Sequence, residues 1–69
     1  SRLGDYNILA GSVTVSSEII IGNGNFIGLN STIRDRVHIG DYNIVGMASM
    51  VLHDIGSRAK VVGAPAKEI

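Results

Sequence analysis

Two side chains, His38 and His53, are the natural candidates for moving protons near neutral pH, since only imidazole titrates there unperturbed. His53 is followed directly by Asp54, and a histidine beside a carboxylate is a pairing that general-base chemistry uses. His38 stands between Val37 and Ile39, a place that points outward as a surface or subunit-contact residue. Two histidines and no cysteine are too few for an all-protein zinc cage, so no metal site is expected. Arg34-Asp35-Arg36 reads as a solvated corner or an intersubunit ion-pair patch. Gly22-Asn23-Gly24-Asn25 lacks the Lys-Ser/Thr and the strand–helix setting of a phosphate-binding glycine loop. Residues 57–69 hold Arg58, Lys60 and Lys67 against Glu68, a net +2, whereas residues 1–56 carry a net −2. Such a tail either meets phosphates through charge-assisted hydrogen bonds or stays solvated.

These groups need a scaffold, and the scaffold is a repeat. Steps of six from Leu3 give Leu3, Leu9, Val15, Ile21, Ile27, Ile33, Ile39, Val45 and Val51. With Leu, Ile and Val at 21 of 69 positions, nine consecutive matches arise by chance on the order of once in ten thousand. Glycine often follows the aliphatic, as at Gly4, Gly22, Gly28, Gly40 and Gly46. A period of eighteen lies over the six: Asn7, Asn25 and Asn43 form one column, and Ile19, Val37 and Ile55 another. Leu3-Gly4-Asp5-Tyr6-Asn7-Ile8 returns as Ile39-Gly40-Asp41-Tyr42-Asn43-Ile44. Six is neither the 3.6 of a helix nor the 2 of a lone strand. It fits short strands joined by tight corners, three to a coil, with coils stacked about 4.8 Å apart. The glycines are expected where a corner needs positive φ or close approach. The asparagines are expected to satisfy backbone groups at a corner or to form a ladder.

Composition agrees with a repeat rather than a mixed globular core. The chain has 69 residues, 45% of them hydrophobic but only 4% aromatic, with nine glycines. Zero formal charge and a pI near 6.7 supply no general attraction to nucleic acid or anionic membrane. The longest apolar runs are three residues, as in Ile19-Ile20-Ile21, far short of a membrane span. A soluble, cytoplasmic protein is expected, and one this small is expected to self-associate or belong to a longer chain.

The pattern [Leu/Ile/Val]-Gly-x-x-small-x over residues 3–56 resembles the hexapeptide-repeat acyltransferases. Val61-Val62-Gly63-Ala64-Pro65-Ala66-Lys67 is similar to the ending of their acetyl-CoA-dependent branch. Phe26-Ile27-Gly28-Leu29-Asn30-Ser31-Thr32-Ile33 resembles the sialic-acid and UDP-4-amino-sugar acetyltransferases. The resemblance implies an all-β, left-handed parallel β-helix of three 18-residue coils over residues 1–56, with a C-terminal capping tail over 57–69. It implies acetyl-CoA as acyl donor, a sugar or nucleotide-sugar acceptor, direct attack on the thioester, and a homotrimer with the CoA groove between subunits. Contacts to CoA are expected from Ile8, Gly28, Leu29, Gly46, Met47 and Lys67. Ile8 departs from the family, which often has histidine there, and Asn30 stands where a second branch has one.

The family's base is a histidine followed by an acidic residue, and its place here falls immediately before Ser1. No catalytic residue is therefore expected within the chain. His53-Asp54 is the alternative, in the same column and order but about 14 Å further along the axis. It reads otherwise as a solvent-facing corner pair or a contact near the nucleotide end of CoA. The competing reading of the whole is a non-catalytic, truncated hexapeptide-repeat trimerisation module.

Overall fold

The computed structural model describes residues 2–69 as eleven short strands, with no helix among them. Nine two-residue strands recur every six residues: β1 (Arg2–Leu3), β2 (Ile8–Leu9), β3 (Thr14–Val15), β4 (Ile20–Ile21), β5 (Phe26–Ile27), β6 (Thr32–Ile33), β7 (His38–Ile39), β8 (Ile44–Val45) and β9 (Met50–Val51). The tail adds β10 (Lys60–Val62) and β11 (Lys67–Glu68). Three sheets wall a prism, in the orders β1-β4-β7, β2-β5-β8-β10-β11 and β3-β6-β9. Every pairing between coils is parallel, in a register of eighteen in the first three coils: Leu3↔Ile21↔Ile39, Leu9↔Ile27↔Val45 and Val15↔Ile33↔Val51. This is the parallel three-coil solenoid that the period of six requires, as expected for a left-handed β-helix.

The second residue of each pair points inward. Ile21, Ile27, Ile33, Ile39, Val45 and Val51 are buried, joined by Ile19 and Val37 from the corners. Burial of each such side chain contributes about 1.5–3 kcal/mol. The polar inner column is satisfied by coil-to-coil bonds. Asn25 accepts at Oδ1 from the Asn43 N–H (2.8 Å) and donates from Nδ2 to the Gly40 carbonyl (2.8 Å). Asn7 and Asn43 repeat both bonds. The amides thus serve backbone groups, and one Asn25–Asn7 side-chain contact at 3.1 Å adds a ladder rung.

The corners distribute their two conformational demands over different residues. Positive φ falls three places after each inner aliphatic from Leu3 to Val45, at Tyr6, Ser12, Glu18, Gly24, Asn30, Arg36, Tyr42 and Ala48, with φ from 57° to 70°. Seven of these eight are not glycine, although this region costs an L-residue about 1–2 kcal/mol. Stacking offsets that cost, since the N–H of each such residue from Gly24 to Ala48 donates to a carbonyl one coil earlier. Glycine after the aliphatic answers close approach alone. A Cβ on Gly22 would lie 2.7 Å from the Gly40 carbonyl oxygen.

Regularity ends at the third corner of the last full coil. Ile55 bridges to Ile39, sixteen residues earlier. It therefore joins the column of Leu3, Ile21 and Ile39, not the expected column of Ile19 and Val37. The corner Leu52–Asp54 is two residues shorter than its predecessor, and the pattern resumes after it: Ala59 N–H donates to Asn43 Oδ1 (2.8 Å) and β10 pairs in parallel with β8. Coil geometry continues to Val62. The chain then turns and returns antiparallel as β11, with Met50 N–H donating to the Gly63 carbonyl and Ala66 N–H to that of Met50.

Candidate functional site: the outer face of the second sheet

The residue before each inner aliphatic must point outward, by strand alternation. On the first sheet these residues are Arg2, Ile20 and His38; on the third, Thr14, Thr32 and Met50. On the second they are Ile8, Phe26 and Ile44 in register, followed by Lys60. Ile8 is 60% exposed, Phe26 42% and Ile44 45%, a stripe of apolar surface running along the prism and ending in a cation. The adjoining corner extends it with Leu29 and Met47, the latter 72% exposed.

All six residues expected to contact CoA fall on this sheet or directly after its strands. Ile8 lies in β2, Gly28 and Leu29 follow β5, Gly46 and Met47 follow β8, and Lys67 lies in β11. Leu29 packs over the coil before it, where a Cβ on Gly11 would lie 3.2 Å from its Cδ1. The two glycines are spoken for by stacking: a Cβ on Gly28 would lie 2.7 Å from the Met47 nitrogen. Their N–H groups donate to the Val45 and Val61 carbonyls, both at 2.8 Å. The side chains open to a ligand are therefore Ile8, Leu29, Met47 and Lys67. Phe26 and Ile44 are additions that sequence reasoning missed, although reading one place before every third inner aliphatic would have found them.

His53 and Asp54 lie elsewhere, at the corner leading from the third sheet to the first. Both are exposed. Asp54 Oδ1 accepts from the His38 backbone N–H at 2.9 Å, so its carboxylate caps a strand and no hydrogen bond joins it to the imidazole. The shortened corner recedes behind a shallow groove lined also by Arg34, Asp35 and Arg36. Arg36 is paired with Glu18 at 3.4 Å on the surface, and Asp35 caps Ser17 N–H at 3.3 Å. His38 faces outward from the first sheet. Among the described residues no three His, Asp or Glu side chains cluster to hold a metal ion. The basic tail has one further contact unforeseen in the sequence, the Arg58 guanidinium 5.6 Å from the Tyr42 ring centroid, a cation–π arrangement.

A scan of protein-family models and a search of curated proteins give no match. Solved structures do match. The acetyltransferase domain of PglB from Neisseria gonorrhoeae FA1090, in complex with acetyl coenzyme A, superposes with a TM-score of 0.89 at 24% identity, over 91% of this chain and 31% of that one. PerB from Caulobacter crescentus, in complex with CoA and GDP-perosamine, gives 0.67 at 30% identity, over 100% of this chain and 30% of that one. Serine acetyltransferase from Neisseria gonorrhoeae gives 0.77 at 24% identity, over 99% and 38%. The chain spans about a third of the length of these proteins. It is a hexapeptide-repeat β-helix, and its structural neighbours are acetyltransferases of that build.

Proposed function

We propose that this chain is the acetyl-CoA-binding β-helix portion of a sugar or nucleotide-sugar N- or O-acetyltransferase that works as a homotrimer. One observation carries the reading: an exposed apolar stripe of Ile8, Phe26 and Ile44, flanked by Leu29 and Met47, ends at Lys60 and Lys67. Its chemistry suits an amphipathic arm with phosphates at one end. Apolar side chains cover methylene groups, and ammonium groups meet phosphate oxygens. The PglB and PerB complexes with acetyl coenzyme A and CoA support the choice of donor. A second subunit against the stripe removes apolar area from water and closes the groove.

Acetyl-CoA would supply the activated thioester: the acceptor amine or hydroxyl forms a bond to the acetyl carbon, the C–S bond breaks, and CoA leaves as its thiol. This chain's part is to hold the arm along Leu29 and Met47 and the phosphates at Lys67. No side chain among residues 2–69 is proposed as the base that takes the acceptor's proton. The test is CoA binding by calorimetry. The chain binds CoA, and Met47→Asp weakens binding at least about tenfold; equal affinity for the two proteins overturns the site.

A second reading, a trimerisation module without turnover, is favoured by the capping role of Asp54, which leaves His53 without a carboxylate partner. Acetyl transfer to an added amino sugar by the 69-residue chain alone would refute it.

A further inference from the structure

Of the asparagines Asn7, Asn23, Asn25, Asn30 and Asn43, only Asn23 is followed by glycine. Asparagine is among the chemically labile residues, and a following glycine, with no Cβ, leaves its nitrogen free to approach. The Gly24 nitrogen attacks Asn23 Cγ, loses its proton, and ammonia leaves. Water then opens the resulting cyclic imide at either carbonyl, giving aspartate or isoaspartate. Asn23 is exposed, so water reaches it. Whether the reaction proceeds depends on geometry, since nitrogen and side-chain carbon must meet.

Neighbouring coils hold the groups that the reaction must move. Asn23 Oδ1 accepts from Asp5 N–H at 2.7 Å, and Gly24 N–H donates to the Asp5 carbonyl at 2.9 Å. The flanking groups are tied to the same coil. Asn7 Nδ2 donates to the Gly22 carbonyl and Asn7 Oδ1 accepts from Asn25 N–H, both at 2.8 Å. From the third coil, Asp41 Oδ1 accepts from Asn23 N–H at 2.7 Å, and Tyr42 N–H donates to the Asn23 carbonyl at 2.9 Å. The Tyr42 ring covers Gly24, where a Cβ would lie 2.5 Å from two ring carbons.

The two clamps differ in what they grip. The third coil holds the Asn23 backbone, whereas the first coil holds both reacting groups, the side-chain amide and the Gly24 nitrogen. We propose that Asn23-Gly24 is a deamidation site that the first coil holds closed. Local opening of the first coil from the second releases the reaction. The products differ in consequence. Asp41 Oδ1 accepts in the next coil the bond that Asn23 Oδ1 accepts here, so aspartate at this place keeps the acceptor. Isoaspartate adds a methylene to the main chain and takes the following residues out of register.

The 69-residue chain is incubated in mildly alkaline buffer with and without denaturing urea, and deamidation at Asn23 is read by peptide mass spectrometry. The reaction is slower in buffer than in urea by at least about tenfold. Asn7→Ala frees the Gly22 carbonyl and Asn25 N–H and raises the rate in buffer at least about threefold above that of Asn43→Ala. That control loses the equivalent bonds, to the Gly56 carbonyl and from Ala59 N–H, and leaves the first coil's grip intact. Should Asn7→Ala unfold the chain, the unsubstituted chain in urea below its unfolding midpoint replaces it. Deamidation there follows hydrogen exchange of the Gly24 amide rather than loss of the folded signal. Equal rates in buffer and urea overturn the proposal. So do equal rates in the two folded variants, or a rate that follows global unfolding alone.

Discussion

The outer face of the second sheet and the corner bearing His53 and Asp54 hold chemistry in opposite ways. The corner has the right residue types, an imidazole and a carboxylate adjacent in sequence, yet the carboxylate is committed to His38 N–H. The sheet face has no proton-transfer residue, yet Ile8, Phe26 and Ile44 stand in register with Leu29 and Met47 beside them. Adjacency in sequence left one pair apart; an eighteen-residue spacing brought the other set together. In a solenoid, a shared face follows the column rather than the dipeptide.

That contrast can be attacked in order of expected effect. Ile27→Ala removes the inner side chain behind the sheet face and costs about 2–5 kcal/mol by urea denaturation; CoA binding falls with the folded fraction. Asn25→Ala leaves the Asn43 N–H and the Gly40 carbonyl without their bonds and costs about 1–3 kcal/mol. Leu29→Ala keeps the fold and weakens CoA binding about three- to tenfold, from lost apolar contact. Lys67→Ala weakens it about two- to fivefold at low salt and hardly at all near 1 M, where charges are screened. His53→Ala changes neither stability nor CoA affinity measurably. A loss at His53 equal to that at Leu29 would erase the distinction between the two regions.

Much of the architecture was legible because every sixth side chain in one column must face the axis, and Leu, Ile or Val at all nine of those places leaves little choice of fold. The asparagine column was legible for a similar reason, since a buried amide needs partners and neighbouring coils supply them. Three features were hidden. Left-handed corners stand at eight residues other than glycine, and those from Asn30 onward are held by coil-to-coil hydrogen bonds, which no local propensity encodes. The placement of Ile55 depends on a corner two residues shorter, and an aliphatic two places off still looks like a member of the repeat. Leu3 satisfies the inward pattern yet is exposed, because burial at an end depends on the next layer and not on the residue.

The central claim is that CoA lies along the second sheet. Titrating CoA into isotopically labelled chain and following the amide and methyl resonances tests it directly. The account predicts shifts concentrated at Ile8, Leu29, Ile44, Met47 and Lys67, with His53 and Asp54 unmoved. Shifts centred on His53, Asp54 and Arg34 with the second sheet silent would contradict it.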